Sequence, residues 1–191
     1  MKPGARPTKP SMRVLTYFEC AEWCAKRGFP TRQYEGCHAS PDFDTAAIEA
    51  GPFHLLRFDV QKDVDQLVSE ARQLYSLMGP EPEVLLWFGD WGVWSYSQHM
   101  PLLTRFRKGL AEDRPLIEAP GHLLAADDAD DAISMVVMAL LFSWNCHLLA
   151  ASGRDAVTVS HDDWGWFASR DRARADSVRD SHPRFFKSDA V

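Results

Sequence analysis

The sequence predicts an α/β protein: one domain with a mixed, mostly parallel sheet, flanking helices and an antiparallel hairpin towards the C-terminus. Three observations predict it. Short strand-like runs alternate with helix-period segments from Phe53 to Ser152, the pattern of βαβ units. The run "EVLLWFG", Glu83 to Gly89, is apolar without alternation, as expected of a strand buried on both faces. Finally, "CHLLAAS" and "AVTVSH" flank a turn centred on Gly153, which reads as a hairpin.

Taken in order, residues 1–11 read as a proline-rich, flexible leader, residues 12–169 as the domain and residues 170–191 as a charged tail. Thr16 and Glu19 stand at the two ends of a capping box, so a helix is expected to start there. Phe18, Ala21 and Cys24 would share one face, and Gly28 with Pro30 would end it. Residues 31–52 read as loop holding at most a short strand or helix. "FHLLRFDV" is a strand, and Asp63 opens a helix whose Val64, Leu67, Val68, Ala71, Leu74 and Tyr75 keep the helical period to Gly79. After "EVLLWFG", "MPLLTRFRKGL" is a helix, "GHLLA" a strand and "DDADDAISMVVMALLFSW" a helix. The hairpin follows, then "DDWGWFAS" as a short last helix. From Arg170 onward alternating charges describe a solvated helix or frayed tail.

Composition narrows the function. The chain has 191 residues, 46% hydrophobic and 25% charged, with a net charge of -6. That excess of acid argues against nucleic acid as a partner, because phosphate binding needs a basic footprint. The segment from Ile133 to Ser152 lacks charge, yet Ser134, Ser143, Asn145 and His147 interrupt it, so a buried helix and strand fit better than a membrane span. No secretory signal is visible, and Cys20, Cys24, Cys37 and Cys146 lack the density of a disulfide scaffold. A reduced, cytoplasmic protein is expected.

The motifs that would announce an enzyme are missing. There is no phosphate-cradling glycine loop, no GxSxG elbow and no HExxH helix. Cys20, Cys24, Cys37 and His38 lack the tight pairing of structural zinc sites, so neither a metal nor another cofactor is expected.

Two segments carry the functional expectation. "WFGDWGVWSYSQH" follows the apolar strand, where α/β folds place ligands. Trp87 belongs to the strand and to the core, while Trp91, Trp94 and Tyr96 beyond it are candidate aromatic anchors for a partner. Asp90 either orients a ligand or caps a turn. Asp127, Asp128, Asp130 and Asp131 precede a helix and exceed what a cap requires; the surplus forms an acidic rim for a basic partner.

"SHDDW" holds His161, Asp162 and Asp163. Neighbours in sequence cannot form a triad with one another, and the plain reading is an Asp capping the following helix. The enzyme alternative gathers His161, Asp162, Asp90 and His99 in one pocket, as a small hydrolase-like protein; a small-molecule sensor is a third reading. The profile as a whole resembles the dedicated binders that bacteria use, such as an immunity protein that neutralises a toxin, although no motif carries that resemblance. It implies a noncatalytic protein-binding domain of unspecified oligomeric state.

Overall fold

In the computed structural model, residues 12–34, 38–41, 51–60, 63–91 and 100–186 are described. They form strands β1 (Arg13–Leu15), β2 (Thr31–Tyr34), β3 (His38–Pro41), β4 (His54–Asp59), β5 (Glu83–Phe88), β6 (Gly121–Ala125), β7 (Cys146–Ala150), β8 (Asp155–Val159) and β9 (Trp164–Ser169). The helices are α1 (Tyr17–Arg27), α2 (Leu67–Ser76), α3 (Met100–Gly109), α4 (Ala129–Phe142) and α5 (Arg172–Ser181), with a 3-10 turn at Ala126–Asp128.

The sheet corrects the expected topology. Seven strands run in the order β1-β6-β5-β7-β8-β9-β4, and every neighbouring pair is antiparallel. A mostly parallel sheet is therefore excluded. The reason lies in what a strand–helix–strand rhythm specifies. Because β6 and β7 both oppose β5, they are parallel to each other, joined by α4, with β5 inserted between them. In the same way β4 and β5 are parallel and joined by α2, but β7, β8 and β9 separate them. The helical crossovers exist, yet the strands they connect are not neighbours.

Two further expectations change. "WGWFAS" is β9 rather than a last helix, paired along its whole length with β4 and, through Asp155 to Val159, with β8. The stretch read as loop contains the separate β2–β3 hairpin. The charged segment from Arg170 holds α5, which buries Ala175 and Val178 and turns Arg174 inward to the Leu77 carbonyl and the buried Asp155.

Strand alternation divides the core in two. On one face Val84, Leu86, Phe88, Leu124, Leu148, Val157, Phe167 and Phe58 meet α2, α4 and α5, and Phe185 and Phe186 close that side. On the other, Leu85, Trp87, Leu123, Leu149 and Ala156 meet α1. Strands apolar on both faces follow from this layering. The Thr16–Glu19 capping box and the Gly28 terminus of α1 form as read from the sequence. Its buried face is Cys20, Trp23 and Cys24, while Phe18 is 72% exposed; three-residue spacing fits either face, and only tertiary packing chooses.

Candidate functional site

The site grows from the end of β5. Trp87 is fully buried, as a core anchor should be. Past the strand, the ladder continues for one further step: Gly89 N–H donates to the Asn145 carbonyl at 2.9 Å, and Asn145 N–H to the Asp90 carbonyl at 3.3 Å. A side chain at Gly89 would crowd this approach, since a Cβ there would lie 3.2 Å from Asn145 Cβ and 3.5 Å from His147 Nε2.

Asn145 then bridges two segments. Its Nδ2 donates to Asp90 Oδ2 at 2.8 Å. Its Oδ1 accepts the His161 backbone N–H at 2.7 Å and lies 2.9 Å from His161 Nδ1. An amide oxygen only accepts, so the hydrogen of this contact resides on His161 Nδ1. His161 Nε2 faces Asp162 Oδ1 at 3.5 Å, and the imidazole is 20% exposed. Asp162 N–H bonds Ser160 Oγ, and Asp163 sits at φ 66 in the left-handed region, which turns β8 into β9. Its carbonyl accepts Val60 N–H at 2.9 Å. Thus the aspartates of "SHDDW" shape a tight turn, and they cap no helix.

Beyond that turn, Trp164 and Trp166 project from the same side of β9, their rings edge-to-face at 5.8 Å. The Arg57 guanidinium lies 5.7 Å from each ring centroid, a cation–π arrangement. Both rings are half-buried and Arg57 is exposed. Tyr17 approaches from α1, 6.2 Å from Trp87; burial, then the charge of Asp90, push its hydroxyl up to about 12.

The predicted residues do not form one surface. Asp90 is exposed and Trp91 half-buried, with Trp91 packed against the core on the α2 and α4 side. Trp94, Tyr96 and His99 lie outside the described residues. Asp127 and Asp130 are exposed and Asp131 half-buried, but Asp128 is buried, where its Oδ2 accepts the Ala125 N–H at 3.0 Å. This acidic cluster follows Ala125, the partner of Glu83 at the start of β5, whereas Asp90 follows Phe88, the partner of Cys146. At about 3.4 Å per residue the two groups stand at opposite ends of the sheet, roughly 17 Å apart along β5 alone. Asp90 and His161 of the enzyme reading, by contrast, do meet, through Asn145.

Sequence reasoning missed Asn145, noticed only as a break, and the Trp164–Trp166–Arg57 group. The period-two spacing of tryptophans around Gly165 was the available signal. Cys20, Cys24 and Cys146 are buried free thiols. Burial pushes Cys24 up to about 12 and the other two higher, so none offers a thiolate near neutral pH. Among the described residues, no group of three or more His, Cys, Asp or Glu side chains is placed to hold a metal ion. Within the same residues no helix is long and apolar enough to cross a membrane. No protein-family model, no curated protein and no solved structure matches the chain.

Proposed function

We propose that this protein is a noncatalytic protein-binding domain, acting in the cytoplasm as a dedicated binder or inhibitor of another protein. One observation carries the reading. At one end of the sheet the half-buried rings of Trp164 and Trp166 stand edge-to-face beside the turn that carries the exposed carboxylates of Asp162 and Asp163. Tryptophan gives large contact area at small entropic cost and dominates interface energetics. Aspartates beside it favour a partner with a basic face and speed its approach. The net charge of -6 supports a protein over a nucleic acid as that partner.

The test is affinity capture from cells at two salt concentrations, comparing wild type with a Trp164→Ala/Trp166→Ala variant whose fold is verified by circular dichroism. A protein retained by wild type, lost by the variant and weakened by salt supports the reading. Identical retention by both forms, or retention of nothing, defeats it.

A second reading is favoured by the geometry of His161. With Nδ1 donating to Asn145, and Asn145 tied to Asp90, the neutral ring presents Nε2 as a partly exposed base of fixed orientation. It would abstract a proton from a hydroxyl or water in a hydrolase-like reaction. Turnover of any compound in an ester and phosphodiester panel, abolished by His161→Gln, would select this reading over the first.

A further inference from the structure

A second surface lies across the sheet from the tryptophans of β9. Trp166 is in register with Thr158, His147 and Trp87, and Trp87 packs on the α1 side. Helices α2 and α4 cover the opposite face and pack side by side. They run antiparallel, because α2 joins the parallel strands β4 and β5, whereas α4 joins β6 and β7, which oppose those two. Burial, then the charge of Asp128, raises the Tyr75 hydroxyl, so the last turn of α2 stands beside the start of α4.

The outward side of this helix pair is apolar at one end and charged at the other. Val68 of α2 is 51% exposed, Val64 in the turn before it 71%, and Leu141 of α4 43%. Val137 and Ile133 are half-buried beside Leu141. Asp130, Ile133, Val137 and Leu141 recur at spacings of three and four, as do Val68, Arg72 and Tyr75, so each set shares one side of its helix. Arg72 and Asp130 are both exposed, and among the described residues neither is ion-paired. Exposed apolar groups gathered on one face, with charges at their border, mark a contact surface.

The arrangement complements itself. With Tyr75 level with Asp128, a rise of about 1.5 Å per residue puts Arg72 roughly level with Asp130, and Val68 level with Ser134 and Val137. Val64 lies beyond Val68, towards Leu141. A two-fold axis parallel to the helices and midway between them keeps these levels while exchanging the helices. It lays α2 of each copy antiparallel on α4 of the other, valines over Val137 and Leu141, and Arg72 over Asp130 of the partner copy, twice. Such isologous matching selects a second copy of this chain as the occupant. We infer that the outer faces of α2 and α4 are a homodimer interface, which leaves both Trp164–Trp166 faces free. Two helices give a footprint of about 400 Å² per copy, at the small end for specific contacts, so the dimer is weak and reversible.

Sedimentation equilibrium of the full chain, from micromolar to near-millimolar concentration, tests this. The mass should rise from that of one chain towards that of two. Leu141→Asp, at an exposed position, should weaken dimerisation at least about tenfold. Arg72→Glu and Asp130→Arg should each do the same alone, because every copy then meets two like-charge contacts. An equimolar mixture of those two variants should dimerise like wild type, since both contacts regain opposite charges. A misfolded variant would not be rescued by mixing, and thermal melts check each one separately. A mass of one chain at every concentration overturns the inference and leaves the surface to a different partner. So does a dimer indifferent to Leu141→Asp, or a mixture no tighter than its components.

Discussion

His161 Nδ1 lies 2.9 Å from Asn145 Oδ1, and the same oxygen accepts the His161 backbone N–H at 2.7 Å. One amide oxygen thereby fixes the tautomer and the orientation of this partly exposed imidazole. The neutral ring is expected as the Nδ1–H form, visible in the nitrogen shifts of a long-range proton–nitrogen spectrum. Asn145→Ala should release that preference and destabilise the fold by about 1–3 kcal/mol, since it strands a backbone N–H. An Nε2–H ring in the wild type would refute the assignment.

Acid should unfold this protein earlier than its carboxylates alone would dictate. Burial holds His122 down to about 3 and His147 down to about 4, whereas an unfolded histidine takes a proton near 6.5. The unfolded state therefore binds more protons below that value. The stability linked to these two groups is complete above about pH 6.5 and is lost as pH falls towards 4. Well below 6.5 each contributes a slope of about 1.4 kcal/mol per pH unit. Urea denaturation at pH 7, 6 and 5 measures it, and His122→Leu should remove about half the slope. A flat profile over that range would rule the account out.

Gly121 faces the side of α1, and a Cβ there would collide with Cys20 Sγ while also crowding Leu15 Cβ at 3.2 Å. Overpacking of a well-filled core costs roughly 1–3 kcal/mol, so Gly121→Ala should lower the denaturation midpoint by that much. Combining it with Cys20→Ala removes the colliding sulfur. The double variant should lose less than the two single changes added together, and strict additivity would show that the contact is unimportant.

Thr16→Ala opens the capping box of α1. Thr16 Oγ1 accepts the Glu19 N–H at 3.3 Å and Glu19 Oε2 accepts the Thr16 N–H at 2.8 Å. The expected loss is about 1 kcal/mol. Hydrogen bonds from Thr16 also hold the Glu19 carboxyl below its ordinary range, so its titration, followed by carbon-13 shifts, should move upward in the variant. A lost kilocalorie with an unmoved Glu19 would point to some other cause.

These relationships differ in how plainly the sequence announced them. The cap at Thr16 and the turn at Gly28 are written within a few residues, and both are legible. So are β5 and α4, whose apolar patterns are long. The direction of the sheet was not legible, because β4 takes β9 as its neighbour and β1 takes β6, and no local signal encodes such distant pairing. Trp164 to Ser169 was misread because six residues with apolar side chains at 164, 166, 167 and 168 satisfy a short helix as well as a strand. The site suffered in the same way. Asn145 acquires its meaning only from Asp90 and His161, which reach it from two different segments, and Asp127 to Asp131 lost theirs as a rim when β5 came between them and Asp90.

The pairing of β4 with β9 also sets an order of events at the ribosome. His54 to Asp59 leave the exit tunnel about a hundred residues before Trp164 to Ser169, their partners, and β1 likewise waits for β6. Throughout that interval the nascent chain carries unpaired backbone and the apolar side chains of Leu55, Leu56 and Phe58. Closure of the sheet is thus a late step, slow in the manner of long-range strand pairing. Chaperone engagement of the growing chain should therefore be strongest between the emergence of β4 and that of β9.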